Sequence, residues 1–467
     1  MRKRSELRGY QDRVAEHLYE HAATFAIIKM GGGKTASALT AAQEMIRDAV
    51  IRHGLILAPK RVAELVWPDE IKKWEHTAGL KLAVLKGGPA ERLRILKDAP
   101  GRHFTVCGID NIQWLVEQLK VLPNSHPIFD LLILDETSRF KSPTSKRAKA
   151  LFSLIPRFQN RWGLTGTPRP NSAMDLFTPV KLITGGRLWG KSFYQWRQTR
   201  FSVDWTGYKW TPLPGAEDRI QRELATVAIT LADGDMPELP RLNVVIDEVE
   251  LPDAARRVYR QMEAEMRATL ANSENVIAVT DAVVTGKLAQ IAQGFVYRGG
   301  GVDPDAGPRT VEHVHDAKFE WLVELVDALD GEPLIVVYEY LEDLRRIEER
   351  WPGVPVIGAG HGQVARAVTD WNDGKLPLLV LHAAAGGHGL NLQHGGSRMA
   401  WLAPGWSPEL WDQTIARLYR PGQSAAQVTV NICVAKDTVD EIKRARVVDK
   451  LDRQDALEQW LKQNAAA

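Results

Sequence analysis

The sequence predicts an α/β protein built of two parallel-sheet lobes with a helical insertion and connector between them. Three observations carry this expectation. A strand, glycine-rich loop and helix stand near the N-terminus, around Phe25 to Ala42. Short apolar runs then alternate with helix-period segments, the pattern of a parallel sheet. That alternation loosens from about Asn171 to Pro252 and starts again near His315. The boundaries expected from it are a first lobe over 1–245 with its insertion from about 171, a helical connector over 246–300, and a second lobe over 301–467 ending in a charged helix.

Phe25 to Ala42 reads F-A-I-I-K-M-G-G-G-K-T-A-S-A-L-T-A-A. An apolar run ends in Gly31, Gly32 and Gly33, followed by Lys34, Thr35 and an alanine-rich segment suited to a helix. Glycines let the loop curl its N–H groups around a phosphate, and the start of the following helix presents its positive dipole end to the same anion. In such a loop Lys34 reaches the β- and γ-phosphates of a nucleotide, and the Thr35 hydroxyl sits on Mg²⁺. The general pattern has glycine where Ile28 stands, which sets this loop apart from that of kinases and small GTPases.

The bulk composition narrows the classes without choosing one. A chain of 467 residues suggests two or three domains, and 44% hydrophobic with 25% charged residues is ordinary for a folded core. A net charge of +2 means that any surface for nucleic acid must be local. Cys107 and Cys433 fit neither a metal-ligand spacing nor a disulfide framework, so a reducing cytosol is expected. M-R-K-R-S-E-L-R at the start lacks a following apolar core and does not read as a signal peptide. No apolar run approaches membrane-spanning length, so no membrane partner is expected.

In order along the chain, Leu7-Arg8-Gly9-Tyr10-Gln11 precedes an amphipathic helix over Asp12–His21. After the loop helix, Gly54-Leu55-Ile56-Leu57-Ala58 is a buried strand closed by Pro59 and Lys60. A helical segment with Trp67 and Trp74 follows, then strands at Leu82–Leu85 and Phe104–Val106. The run Leu131 to Leu134 delivers Asp135 and Glu136 to the carboxyl edge of the sheet, where ligands bind in open α/β folds. Beside a phosphate loop, one carboxylate holds Mg²⁺ and the other orients the attacking water. From Arg139 to Arg161 lie Lys141, Lys146, Arg147, Lys149 and Arg157 with no acidic residue, a stretch that suits either a solvated helix face or phosphate contact. Trp162-Gly163-Leu164 then ends in Thr165-Gly166-Thr167-Pro168.

Trp189, Trp196, Trp205 and Trp210 mark the insertion, and helical periodicity returns over Asp253–Leu270 and Asp281–Phe295. The second α/β pattern has a helix at Ala317–Leu329, strands near Pro333–Tyr338, Leu376–Leu381 and Met399–Leu402, and a last strand at Val428–Val434. Gln413, Arg417 and Arg420 have the i, i+4, i+7 spacing of one helix face. On such a face two guanidinium groups aim together at a polyphosphate, or else sit in solvent.

This ordered set resembles the superfamily 2 helicase-like ATPases, most closely the Snf-type branch of chromatin remodellers and their bacterial and phage relatives. The likeness runs from Leu7 to about Lys450. Leu7-Arg8-Gly9-Tyr10-Gln11 resembles the adenine-recognising element, with Gln11 on the base; Met30 to Thr35 resembles motif I, and Ala58-Pro59-Lys60 the Ia element on a phosphate backbone. Asp135-Glu136 stands as motif II and Leu164-Thr165-Gly166-Thr167-Pro168 as motif III. Gly389-Leu390-Asn391-Leu392-Gln393 is similar to motif V, and Gln413, Arg417, Arg420 and Gly422-Gln423 to motif VI. Lys287-Leu288-Ala289-Gln290-Ile291 with Gly294-Phe295 resembles the branch's link into the second lobe. Ile28-Lys29 replaces the remodellers' Asp-Glu, Thr137-Ser138 follows motif II, and Leu231-Ala232-Asp233-Gly234-Asp235 stands where an Arg-Arg-Lys run is usual. These departures weigh against nucleosome remodelling and leave the core motor.

The resemblance implies two RecA-like lobes with ATP and Mg²⁺ in the cleft between them. Lys34, Asp135, Glu136, Arg417 and Arg420 would be catalytic, Thr35 and Asp135 metal ligands, and Gln11, Gly31, Gly32, Gly33 and Gln413 nucleotide contacts. Lys60, Thr165, Thr167 and Asn391 would couple nucleotide state to grip on nucleic acid, with Lys146, Arg147 and Lys149 as further backbone contacts. It implies a DNA-stimulated ATPase that steps along double-stranded DNA as a monomer in the cytoplasm of a bacterial cell or phage-infected host. One alternative is a helicase separating DNA or RNA strands, whose mark would be a wedge hairpin that no stretch of the sequence identifies. Another is an ATP-operated DNA clamp or scaffold that does not move.

Overall fold

Leucine- and β-branched-rich runs become the strands of two parallel sheets in the computed structural model. It describes residues 1–121, 129–166, 172–205, 210–231, 234–271, 286–298, 310–358, 364–386, 390–445 and 447. The chain divides into two units, one over Met1–Glu238 and one over Leu239–Leu451. The division after Glu238 falls before the boundary expected at 245.

In the first unit the strands are β1 (Ala23–Ile27), β2 (Gly54–Ala58), β3 (Leu82–Leu85), β4 (Phe104–Gly108), β5 (Leu131–Asp135), β6 (Asn160–Thr165), an antiparallel hairpin β7 (Phe201–Val203) and β8 (Trp210–Pro212), and β9 (Ala228–Thr230). The main sheet has the order β3-β4-β2-β5-β6-β1-β9, with every pairing parallel. Side chains alternate between its faces, as strand geometry requires. Ala26, Ile56 and Ile133 pack with Val14, Leu18, Leu39 and Met45 of the helices Gly9–Glu20 and Lys34–Arg47. Phe25, Leu55 and Leu132 pack the opposite way, against Leu115, Leu151 and Val180 of Ile112–Val121, Lys146–Leu154 and Phe177–Thr184. With helices on both faces the central strands can be apolar throughout, which is why they read so clearly in the sequence.

In the second unit the strands are β10 (Arg241–Val249), the antiparallel hairpin β11 (Phe295–Arg298) and β12 (Thr310–His313), then β13 (Leu334–Tyr338), β14 (Val356–Ile357), β15 (Leu378–His382), β16 (Arg398–Trp401) and β17 (Gln427–Ala435). The sheet order is β10-β17-β16-β13-β15-β14, again parallel. Ala317–Ala328 and Leu341–Arg350 cover one face, and Val364–Asn372 and Pro408–Ile415 the other. Among the described residues, no helix is long and apolar enough to cross a membrane. Both cysteines are buried and free, with burial pushing each thiol up to about 12, so neither is poised to react.

Three sequence expectations change. The stretch read as loosened contains β9, which closes the edge of the first sheet beside β1, and β10, which pairs with β17 from Arg241↔Gln427 to Val249↔Ala435. Both are sheet-edge strands, only partly buried, so neither shows an unbroken apolar run. The second sheet therefore begins at Arg241 rather than after His315. Phe295, expected to end a helix, opens β11 instead. Gly294 turns the chain at φ +113°, and a Cβ there would meet the His315 carbonyl oxygen at 2.3 Å, so only glycine fits.

Buried titratable groups give the fold opposing pH dependences. Burial pushes His53 and His315 down to about 4. His315 Nε2 lies 2.9 Å from the Ile291 carbonyl, and the Ala317 N–H donates to its Nδ1 at 3.2 Å, an arrangement that only the neutral ring satisfies. Burial pushes Asp343 the other way, up to about 6, against the N–H groups of Tyr340 and Gln293 that donate to it. Between about pH 4 and 6 the unfolded chain binds a proton at His315 that the folded one excludes, so acid destabilises. Over the same range folded Asp343 holds a proton that the unfolded chain releases, so acid stabilises. Asp343→Asn removes only the second effect. Its thermal unfolding midpoint should fall more steeply with acidification from about pH 6.5 to about pH 4.5 than that of the unaltered chain. An equal slope in the two proteins would refute the opposition.

Candidate active site

The phosphate loop grows from β1, and Ile28 is the first residue beyond it. The Ile28 N–H donates to the Thr165 carbonyl at 3.0 Å, and its side chain is buried with Ala26, Leu39 and Leu164. The position that carries glycine in the general loop is thus a core residue here. Gly31 and Gly33 both have φ +78°, the left-handed conformation that side chains disfavour. Gly33 caps the helix Lys34–Arg47, and a Cβ on it would lie 1.9 Å from Gln11 Nε2. The Arg8 N–H donates to Gln11 Oε1 at 3.0 Å, which turns the carboxamide nitrogen toward the loop. Lys34 Nζ donates to the carbonyls of Ile28 at 2.8 Å and Lys29 at 3.4 Å, folding back over the loop. Thr35 sits half-buried in the first turn of the helix.

The carboxylates arrive from β5. In the sheet order β5-β6-β1, Asp135 and the loop stand at the carboxyl ends of strands flanking β6, whose own end is Thr165. Burial pushes the Asp135 carboxyl up, while the charge of Lys34 and the Trp67 indole N–H hold it down. That N–H donates to Asp135 Oδ2 at 3.0 Å. Glu136 has φ 64°, rare for a residue with a side chain, and its N–H is held by the Leu164 carbonyl at 2.9 Å. Ser138 Oγ donates to Glu136 Oε1 at 2.6 Å. Gly166 completes the wall: a Cβ there would lie 3.2 Å from Met30 Cγ and 3.6 Å from Lys34 Nζ. Trp67 and Ser138 were not foreseen as site residues; the Thr137-Ser138 departure in motif II was the one available hint. Thr167 lies outside the described residues.

These residues fit a magnesium nucleotide. Thr35 and Asp135 offer hard oxygen donors, and Mg²⁺ takes few protein ligands when phosphates and water supply the rest. Gly31 and Gly33 take the left-handed backbone that such a loop requires, and Lys34 supplies the counter-charge.

In the second unit one expectation is corrected. Gln413 lies on the helix Pro408–Ile415, but that helix ends before Arg417 and Arg420, so the three do not share a helix face. Pro421 has no N–H to donate, and its ring would clash with the Arg417 carbonyl in a continued helix. The guanidinium groups still converge, because Arg417 Nη1 and Arg420 Nη1 each donate to the Leu390 carbonyl at 3.2 Å. The Leu392 N–H donates to the Arg417 carbonyl at 3.2 Å, so the loop around Asn391 and the arginine turn are one unit. Trp371 Nε1 donates to the Leu392 carbonyl at 2.7 Å, and Asn372 Nδ2 to that of Asn391 at the same distance. Gln423 pins the turn through the Gly396 carbonyl at 3.0 Å.

The basic stretch divides. Lys146 and Lys149 are exposed on the helix Lys146–Leu154, whereas Arg147 pairs with Asp110 at 3.3 Å. Lys60 is exposed just beyond the carboxyl end of β2.

Comparison with known proteins bears on this geometry. Residues 10–291 match the SNF2-related domain family. Protein p41 of Acyrthosiphon pisum secondary endosymbiont phage 1 is 34% identical over 97% of this chain and 98% of its own length. The DNA repair and recombination protein RAD54-like of Drosophila mojavensis is 21% identical over 85% of this chain, which spans only 55% of that protein. The Sulfolobus solfataricus SWI2/SNF2 ATPase core in complex with dsDNA aligns with a TM-score of 0.44 and 18% identity, over 97% of this chain and 93% of that one. A family match across more than half of the chain, beside a phage relative aligned almost end to end, makes this protein a member of the SNF2-related family of helicase-like ATPases.

Proposed function

We propose that the protein hydrolyses ATP and uses the cycle to step along double-stranded DNA. The observation that carries the chemistry is the convergence of Lys34, Asp135 and Gly166 at the ends of β1, β5 and β6. Lys34 binds the β- and γ-phosphates, while Thr35 and Asp135 hold Mg²⁺, which neutralises phosphate charge when bound. Trp67 keeps Asp135 oriented, and Glu136, fixed by its strained backbone and by Ser138, positions and deprotonates the attacking water. Gln11 reads the base, and Gln413 is a further nucleotide contact.

Arg417 and Arg420 act on the γ-phosphate when the second lobe closes over the nucleotide. Groups of this kind add roughly 10³–10⁵ in rate in other phosphate-transfer systems. Closure is favoured by ATP and released by hydrolysis, so two lobes that each grip a phosphate backbone advance along it. Thr165, Thr167 and Asn391 couple the two events. Exposed Lys60, Lys146 and Lys149 supply sequence-independent contact. Family membership and the likeness to a DNA repair and recombination protein support DNA as the track.

Lys34→Ala should abolish hydrolysis and weaken ATP binding, whereas Glu136→Gln should bind ATP and fail to turn it over. Near-normal steady-state hydrolysis in either variant would remove the assignment.

Arg417→Ala and Arg420→Ala should cut turnover by about 10³-fold or more with ATP affinity little changed, because their contacts matter in the closed transition state. Normal turnover combined with lost DNA binding would make the arginine turn a DNA face instead.

Hydrolysis should be stimulated more by duplex DNA than by equal nucleotide concentrations of single-stranded DNA or RNA, and a third strand should be displaced from a triplex. Replacing Lys146 and Lys149 together by glutamine should flatten the salt dependence of duplex binding, each lost phosphate contact reducing the log–log slope by about 0.9. Preference for RNA points to the helicase alternative, and ATP turnover without triplex displacement to the clamp.

A further inference from the structure

The insertion of the first lobe carries an arrangement that the ATPase site does not use. Trp205, at the described end of the β7 side of the hairpin, is 96% exposed. Exposure of that extent is unusual for tryptophan, which normally buries most of its large apolar surface. Val203 and Tyr194 in the same insertion are also exposed, at 43% and 58%.

The base of the hairpin is, by contrast, rigidly held. Phe201, Trp196 and Trp189 are buried in the core of the lobe with Phe177, and the Trp189–Trp196 and Trp196–Phe201 ring centroids lie 5.0 Å and 5.6 Å apart. Glu223 of the helix Ala216–Ala225 accepts from Trp189 Nε1 at 2.7 Å and from Arg200 Nη2 at 2.9 Å and 3.1 Å. Strand β8 is clamped by Arg197, whose guanidinium stacks 3.7 Å from the centre of the Trp210 ring. With Arg200 neutralised by Glu223, the other charged residues from Gly185 to Trp205 are Arg187, Lys191 and Arg197 against Asp204, a basic balance suited to a polyanion.

We infer that the β7–β8 hairpin is a stacking platform for nucleic acid, on which Trp205 packs against an unpaired base at the end or fork of a duplex. A flat indole on a rigid support has the chemistry for any base face, without reading sequence. The inference rests on the DNA reading above and adds a structural preference to it: the motor tracks the backbone, and the hairpin meets a place where bases are exposed.

The test is binding of the full chain to a forked duplex with 2-aminopurine at the unpaired position beside the junction, and to closed circular duplex DNA. For the fork, Trp205→Ala should weaken binding roughly 5- to 100-fold and abolish the quenching of 2-aminopurine that the unaltered protein produces, while Trp205→Phe retains most of both. Binding to the closed circle and ATP hydrolysis without DNA should be unchanged in both variants. A Trp205→Ala protein that matches the unaltered one on the fork overturns the inference, leaving the exposed indole to a protein partner. If the unaltered protein binds no DNA at all, the DNA reading falls and this inference with it. If it binds the closed circle and only the fork effect is missing, the hairpin role alone falls.

Discussion

Beyond the last residue of β1, the Ile28 N–H still donates to the Thr165 carbonyl, and that bond decides where the phosphate loop begins. Because β6 lies between β1 and β5, fixing Ile28 to Thr165 also places the loop beside Gly166 and within the field of the Asp135 carboxylate. A glycine at position 28 would give the loop a softer start. Isoleucine instead anchors it in the helix-facing core, so the left-handed backbone of the loop is confined to Gly31 and Gly33. Trp67 and Ser138 then orient the two carboxylates from outside the strand ends, each through one hydrogen bond.

The second unit solves a similar problem with fewer regular elements. Its arginines lie beyond the end of the helix, and the Leu390 carbonyl gathers them. The core of this unit also contains charge: Lys318 and Lys443 both approach Asp440, all three about 1% exposed, and Lys443 also reaches Glu339 at 3.3 Å. Removing one partner of such a buried set costs about 3–5 kcal/mol, since the remainder is left uncompensated. The network fastens the start of the C-terminal helix to the body of the sheet, because Asp440 also accepts from the Ala435 N–H at the end of β17.

The tryptophans of the insertion show how one residue type serves opposite ends. Trp189 and Trp196 lose water on folding and anchor the hairpin, while Trp205 stays almost fully exposed. Trp210 lies between these extremes, half-buried under Arg197. The tryptophan content marks the region as unusual without assigning the roles.

Much of the first sheet was legible because its central strands are buried on both faces and read as continuous apolar runs. The position of the Gly-Gly-Gly-Lys-Thr loop and of the Asp-Glu pair at strand ends was legible too, since each follows directly on a short apolar run. Edge strands β9 and β10 were not, because a strand covered on one side needs no apolar run. The sequence by itself determined the two-sheet α/β class and the order along the chain of the glycine loop, the Asp-Glu pair and the arginine pair. Tertiary structure decided that Arg417 and Arg420 meet at a carbonyl rather than on a helix, that Trp67 holds Asp135, and that Arg147 is partly satisfied by Asp110. In each case the deciding partner is distant in sequence or set by a helix end. Local periodicity reports which way a side chain points along an element, but not which other segment folding brings to meet it.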